Sequence, residues 1–192
     1  NYKHCLKLCS AFLQKQPGHA LCKVLHAVAL ERCGRRDEAL RLCDEALAAP
    51  SGVDDTVRNT AAIVFRRCRQ GSSVFRVYEA GWAADADNEE YAASLYTAAL
   101  RVGEFARAQQ VATKLYSKLK KTKFVNWIVV ALLFQGRSGA PSQILDLATI
   151  MLQKAPIDKD LLNGERGFNR TQHYLVLMHL DTLRMRGKFD EA

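Results

Sequence analysis

The chain has 192 residues, of which 48% are apolar and 25% are charged, a balance typical of a folded chain with a continuous core. It contains 4 prolines and 11 glycines, so long helices joined by short connections fit better than strands. The longest apolar stretch, Phe124 to Phe134, is shorter than the ~20 residues that a membrane-spanning helix needs. We therefore expect an all-α protein, with this stretch as a buried core helix and no membrane partner.

Both ends of the sequence suggest a fragment of a longer protein. Residue 1 is Asn rather than Met, and no secretory signal pattern follows it. Lys3 to Gln16 is predicted to be a lone helix stopped by Pro17-Gly18, and Gly187 to Ala192 resembles the start of a further helix.

Six cysteines occupy the first third of the chain, namely Cys5, Cys9, Cys22, Cys33, Cys43 and Cys68. None forms the Cys-x-x-Cys spacing of a zinc site or a redox dithiol. Cys5 and Cys9 are one helical turn apart and are expected to pack on one face. We predict small buried thiols with no metal bound, in a reducing compartment that is either the cytosol or the nucleus. Of the two, we expect a cytoplasmic location.

A short motif recurs along the chain in phase with a helix-pair repeat. It reads Gly34-Arg-Arg-Asp-Glu-Ala39, then Gly103-Glu-Phe-Ala-Arg-Ala108, then Gly187-Lys-Phe-Asp-Glu-Ala192. The first two copies are two periods of about 34 residues apart, the tetratricopeptide spacing. Glycine ends the first helix in a left-handed conformation, and alanine lets the second helix approach closely. The motif predicts a right-handed α-solenoid of tetratricopeptide-type helix pairs.

The predicted organisation is one repeat array over residues 1–192. Its parts are a partial repeat at 1–18, repeats at 19–52, 53–87 and 88–121, a degenerate repeat with a polar loop at 122–170, and a truncated repeat at 171–192. The second repeat lacks the glycine between its helices and has Arg69-Gln-Gly71 shifted by two, which leaves its local geometry open. An unrelated helical bundle with chance similarities is the alternative.

The first helices of the pairs, called A helices here, are expected to line a concave surface that binds a partner. Their predicted solvent side is Glu31, Arg32, Arg66, Arg67, Leu100, Arg101, Leu133, Phe134, Arg184 and Met185. The candidate partner-binding residues among them are Arg32, Arg66, Arg67, Arg101, Phe134 and Arg184. The alternative is that these arginines are solvated helix ends, where cations are favoured.

The formal net charge of the chain is +8. Positive charge is concentrated in five neighbouring lysines, called the lysine patch here: Lys114, Lys118, Lys120, Lys121 and Lys123. Such a patch attracts phosphate backbones without reading their sequence, so we predict a ribosome or polyanion contact. A solvated helix end is the alternative. No aromatic residues alternate with these lysines in a way that would favour base stacking.

Catalytic motifs are absent from the sequence. There is no Gly-x-Ser-x-Gly, Walker loop or His-Glu-x-x-His, and no Arg/Gln-x-x-Gly-x-Gly/Ala turn for the pyrophosphate of acetyl-coenzyme A. His26 is predicted to be a core or interface histidine that faces the second helix of its pair, rather than an acid or base. We therefore predict no catalytic residue, no cofactor and no enzyme activity.

Several strings resemble a known family. The run from Lys23 to Leu40 is similar to early repeats of the large auxiliary subunits of N-terminal acetyltransferases. The strings Asn88-Glu-Glu-Tyr91, Arg101-Val-Gly-Glu104, Gln109-Gln110 and Leu115-Tyr116-Ser-Lys118, with the helix around Trp127, resemble the NatB auxiliary subunit more closely than its NatA counterpart.

The resemblance implies a non-catalytic scaffold that wraps a small catalytic GNAT-fold subunit. It also implies that the scaffold docks this subunit at the ribosome, on ribosomal RNA among other contacts, for acetylation of nascent chains. Two other functions remain open from the residues alone: a tetratricopeptide adaptor for another protein or peptide, and an RNA-binding α-solenoid.

Overall fold

The computed structural model describes residues 2–49, 53–86, 88–154 and 170–187. This part of the chain holds ten α-helices and no strand, which confirms the all-α prediction. The helices are α1 Tyr2–Lys15, α2 Ala20–Arg32, α3 Arg36–Leu47, α4 Asp55–Arg67, α5 Gly71–Ala84, α6 Glu89–Val102, α7 Phe105–Leu119, α8 Thr122–Arg137, α9 Ser142–Lys154 and α10 Arg170–Met185. The predicted polar loop at 155–170, apart from Arg170, and residues 188–192 lie outside the described residues.

The chain divides into two compact units, Asn1–Ser94 and Leu95–Ala192. In the first unit α2 packs against α1 and α3, and α4 packs against α5. In the second unit α8 packs against α7 and α9, and α10 packs against α8 and α9. Helix α6 runs across the division between the units.

Four turns that join an A helix to the helix after it close in the same way. Each contains one residue with a positive φ, namely Gly34 (+83°), Arg69 (+61°), Gly103 (+85°) and Gly139 (+85°). The next residue donates its backbone N–H to the carbonyl five residues back: Arg35 to Leu30 (3.0 Å), Gln70 to Phe65 (2.8 Å), Glu104 to Ala99 (2.9 Å) and Ala140 to Gln135 (3.1 Å). This hydrogen bond and the left-handed residue together form a Schellman motif, which satisfies helix carbonyls as it reverses the chain.

The second pair keeps this turn without a glycine. Arg69 takes the left-handed conformation, and Gly71, which the sequence offered as the shifted glycine, is the first residue of α5. The left-handed conformation costs an L-residue roughly 1–2 kcal/mol. The packing of α4 on α5 offsets that cost.

Small residues lie fully buried in the first unit. Ala27 of α2 and Ala39 and Cys43 of α3 have no exposed surface. In the next pair Gly81 lies where a larger residue would not fit, because a Cβ there would lie 2.8 Å from the Tyr91 ring. These residues let neighbouring backbones approach closely.

The core of the second unit is built on α8. Val125, Val129 and Leu133 form a buried cluster with Leu145 and Leu152 of α9. The Tyr96 hydroxyl donates to the Trp127 carbonyl oxygen at 2.9 Å, and the two rings stack with centroids 4.5 Å apart. The predicted core helix is therefore present. No helix among the described residues has both the length and the apolar character needed to cross a membrane.

Three of the six cysteines are buried as predicted, Cys5 and Cys68 are half-buried, and Cys33 departs from the prediction. Cys9, Cys22 and Cys43 are buried, and burial raises the pKa of both the Cys9 and the Cys43 thiol to about 12. The Sγ atoms of Cys5 and Cys9 are 3.9 Å apart, as expected for one helical face. Cys33 is exposed, contrary to the prediction, because it caps the C-terminus of α2 beside the Gly34 turn.

Ala39→Leu is expected to overpack the crossing of α2 and α3, because Ala39 is completely buried. We expect a loss of about 1–3 kcal/mol in the free energy of unfolding, measured by chemical denaturation. Ala83→Leu is the matched control, since Ala83 is exposed in the same unit and should change stability little. Equal midpoints for the two variants would contradict the packing described for Ala39.

His26→Gln is expected to remove a pH dependence of stability. Burial, followed by the charge of Arg35, lowers the pKa of His26 below 6.5, and Glu38 opposes this shift. The unfolded chain therefore binds the proton first as the pH falls below about 6.5, so wild-type stability declines there. Denaturation at pH 7.5 and at pH 5.5, roughly one unit either side of the free imidazole pKa, should show a smaller decline for the variant. An identical decline in both proteins would contradict this assignment.

Candidate functional site

The arginines predicted for partner binding in the first unit have partners within the chain. Glu31 of α2 lies 3.6 Å from Arg32 and 3.3 Å from Arg67 of α4. The Glu31 side chain is only 15% exposed, so this carboxylate ties the ends of two A helices together. Part of the predicted arginine row is thus a contact between successive helix pairs.

Arg66 is directed at the neighbouring helix. Its guanidinium donates a hydrogen bond to the Tyr78 hydroxyl of α5 and lies 5.6 Å from the centroid of that ring. Tyr78 is 4% exposed, so the arginine covers a buried aromatic side chain. Arg32 keeps 42% of its side chain exposed and lies 5.8 Å from the Tyr2 ring.

The predicted residues of the second unit are more available. Arg101 lies in the last turn of α6 and Arg184 in the last turn of α10, and both are exposed. Neither has an ion-pair partner among the described residues. Phe134 is 39% exposed and stacks on Phe105 with centroids 5.2 Å apart. These side chains offer two cations and an aromatic face.

Leu133 corrects the predicted solvent side of α8. It is 7% exposed and belongs to the buried cluster with Val125 and Val129. The interpretation placed two consecutive residues, Leu133 and Phe134, on the solvent side. Consecutive helical residues are about 100° apart, and of these two only Phe134 is exposed.

Two ion pairs in the second unit were not anticipated. Arg137 of α8 pairs with Asp181 of α10. Arg186 lies 2.8 Å from Asp146 of α9 and donates to the Thr149 hydroxyl at 3.2 Å. Each ion pair joins residues that are far apart in the sequence, so local sequence patterns do not predict these contacts.

The Gln-Gln string of the third pair has a packing role. The Gln135 side-chain amide of α8 donates to the Gln109 side-chain oxygen of α7 at 2.9 Å. The hydrogen bond joins α7 to the helix that follows it. Gln110, on the exposed side, accepts from Arg107 at 3.1 Å.

The lysine patch surrounds the turn between α7 and α8. Lys114 and Lys118 are one turn apart on α7, Lys120 is the left-handed residue after α7, and Lys121 and Lys123 lie at the start of α8. All five residues are exposed. The ammonium of Lys123 lies 4.8 Å from the Phe124 ring centroid, and Phe124 is completely buried, so that ring presents no stacking face.

Helix α8 begins without acidic residues or a side-chain cap. Lys121 is its N-cap and makes no capping hydrogen bond, and the first turn contains no Asp or Glu. A helix N-terminus carries partial positive charge and unpaired N–H groups, which bind anions. Lysines at such an end are unfavourable for the helix alone and add to its attraction for an anion.

Among the described residues, no group of three or more His, Cys, Asp or Glu side chains could hold a metal ion. His26 has its Nε2 3.5 Å from the Ser10 hydroxyl and its Nδ1 buried. His26 is half-buried and contacts α1, so it lies at a helix interface.

Residues 1–192 match the family described as Psidin, N-terminal TPR repeats region. The rat N-alpha-acetyltransferase 25, NatB auxiliary subunit, is 30% identical over 197 residues, covering 100% of this chain and 19% of the relative. The Phagocyte signaling-impaired protein of Drosophila pseudoobscura pseudoobscura is 27% identical over 194 residues, covering 100% of this chain and 20% of the relative. The chain thus spans about a fifth of the length of the curated relatives it matches.

Two solved structures share the fold. The structure of Naa15/Naa10 bound to HypK-THB has a TM-score of 0.56 at 17% identity, covering 100% of this chain and 32% of that chain. MamA MSR-1 C2 has a TM-score of 0.55 at 17% identity, covering 94% of this chain and 89% of that chain. These likenesses confirm the predicted α-solenoid of helix pairs. The relatives' names confirm the resemblance to the NatB auxiliary subunit, and the chain belongs to the Psidin N-terminal tetratricopeptide-repeat family.

Proposed function

We propose that this chain is part of a non-catalytic scaffold subunit of a NatB-type N-terminal acetyltransferase complex. The scaffold binds the catalytic GNAT-fold subunit in the cytoplasm and helps dock it at the ribosome for acetylation of nascent chains. The observation that carries the proposal is the match along the whole chain to relatives named as NatB auxiliary subunits. The fold supports it, because stacked helix pairs expose long surfaces suited to holding another protein.

The second unit offers the better partner contact. Arg101 and Arg184 are exposed cations, and the exposed Phe134 is held rigid by its stacking on Phe105. Arginine and aromatic residues dominate binding energy at protein interfaces. In the first unit Arg66 and Arg67 already serve contacts within the chain, which leaves Arg32 as the more available cation there. The surface fits a partner with carboxylates around an apolar side chain.

Co-purification tests the complex. The full-length protein, expressed with its catalytic GNAT-fold subunit, should yield a stable stoichiometric complex. Arg101→Glu combined with Arg184→Glu should weaken that complex about tenfold or more, because the variant places carboxylates against an acidic surface. Arg41→Glu is the control, since Arg41 lies on α3 with 72% of its side chain exposed.

The outcomes separate the alternatives. If the wild-type proteins fail to form a complex, the NatB assignment is rejected, and recovery of peptides or chaperones instead would favour an adaptor. If the double variant binds as well as Arg41→Glu, the partner surface lies elsewhere on the chain.

The lysine patch supports the ribosome contact within the same proposal. Five exposed lysines surround the uncapped start of α8, so their ammonium groups and the oriented N–H groups of the helix support one anion-binding surface. Ribosomal RNA is the polyanion that a co-translational scaffold meets. Binding of this kind depends on counterion release and weakens steeply with salt.

Changing Lys118, Lys120, Lys121 and Lys123 to Glu should weaken co-sedimentation with ribosomes at low salt, because it reverses the charge of the patch. The helical circular dichroism signal should be unchanged, since all four side chains are exposed. Undiminished sedimentation would reject the ribosome role of the patch. Binding of the wild-type protein to bare RNA that persists at high salt would instead favour an RNA-binding solenoid.

A further inference from the structure

A cleft of about 350 Å³ lies in the first unit, between α3, α4 and α5. Its described lining comes from the end of α3, from α4 and from α5: Asp44, Leu47, Ala48, Val53, Arg58, Phe65, Ser73, Arg76, Val77 and Ala80. Helix α4 packs against both α3 and α5, so α4 forms the floor and the other two helices form the walls. The volume is within the range of sites that bind ligands.

The floor and both walls of the cleft contribute apolar residues. Phe65 is 1% exposed and Val77 is 5% exposed, and Leu47, Val53 and Ala80 complete this surface. An apolar side chain of a ligand would lose its contact with water here, which favours binding.

The polar groups of the cleft differ in how far they are already satisfied. Arg58 has its guanidinium 3.4 Å from Asp55, a carboxylate that also accepts from the Tyr91 hydroxyl at 2.7 Å. Arg76, by contrast, donates only to the Ser73 hydroxyl at 3.1 Å and has no carboxylate partner among the described residues. Arg76 is therefore the cation that a ligand would meet.

Asp44 faces the cleft from the opposite wall, on α3. A carboxylate there repels a second ligand carboxylate and accepts hydrogen bonds from N–H groups. A ligand that fits the cleft therefore has a hydrogen-bond acceptor for Arg76 and a hydrogen-bond donor for Asp44. An apolar group lies between the two. An acidic residue beside an apolar residue in a polypeptide supplies all three.

We propose that this cleft binds an extended segment of a partner polypeptide. An apolar side chain of the segment fills the cleft, an adjacent carboxylate pairs with Arg76, and a backbone N–H donates to Asp44. Arginine suits this role because its planar guanidinium can hold a carboxylate with two hydrogen bonds. The described lining of the cleft includes none of the partner-binding side chains of the proposed function, so this inference goes beyond that function.

Fluorescence anisotropy tests the proposal on the full chain. The probe is fluorescein-labelled Ser-Gly-Leu-Glu-Gly-Ser amide, compared with the same peptide carrying Leu-Gln or Ala-Glu in place of Leu-Glu. Each change should weaken binding about tenfold, since one removes the carboxylate and the other truncates the apolar side chain. Arg76→Gln should weaken the Leu-Glu peptide to a similar extent and leave the Leu-Gln peptide unchanged, which is the signature of a direct pair.

Two further variants keep the test specific to the cleft. Arg41→Gln removes an exposed arginine of α3 outside the cleft and should leave every affinity unchanged. Ala80→Trp fills the cleft from an exposed position and should abolish binding of all three peptides. Both should retain the wild-type melting temperature.

The proposal is overturned if the Leu-Glu peptide does not bind, or if Arg76→Gln weakens the Leu-Glu and Leu-Gln peptides equally. Binding of sodium octanoate without binding of the peptide would also overturn it, since the site would then take a small apolar acid. Co-purification of Arg76→Gln with the GNAT-fold subunit, measured alongside, should be unchanged. That readout distinguishes failure here from failure of the proposed function.

Discussion

The left-handed residue at the end of each A helix is the constraint on which the rest of the structure depends. It lets the following N–H reach a carbonyl five residues back, so the helix ends and the chain reverses within two to four residues. A turn this short places the next helix antiparallel and close to the first. The buried alanines and Gly81 are then required, because larger side chains would hold the backbones apart.

The same geometry explains why cations gather at one end of the A helices. The last turn of a helix favours positive charge, and Arg32, Arg66, Arg67, Arg101, Arg137 and Arg184 lie in such turns. Their uses then diverge. Arg67 and Arg137 reach carboxylates of neighbouring A helices, whereas Arg101 and Arg184 remain exposed. Helix electrostatics therefore favours arginines in these last turns. Which of the arginines remain available to a partner depends on how the neighbouring helices pack.

Local patterns in the sequence predicted the helices and the bends well. The spacing of Gly34 and Ala39 depends only on neighbouring residues, and it predicted the bend of the first pair. The same spacing at Gly103 and Ala108 predicted the bend of the third pair. The contacts between pairs could not be predicted. Glu31 with Arg67, and Arg137 with Asp181, join residues that only the stacking of helices brings together. The burial of Leu133 and the exposure of Cys33 were missed for a related reason, since each depends on which side of a helix end a neighbour covers.

Arg69 has a consequence for how this family diverges. Since a backbone hydrogen bond closes the bend, a residue other than glycine can stand there at a modest energetic cost. Repeats can therefore lose their signature residues one at a time while the path of the chain is kept. Folds of this kind remain superimposable at 17% identity, and searches that rely on conserved glycines will overlook some of their members.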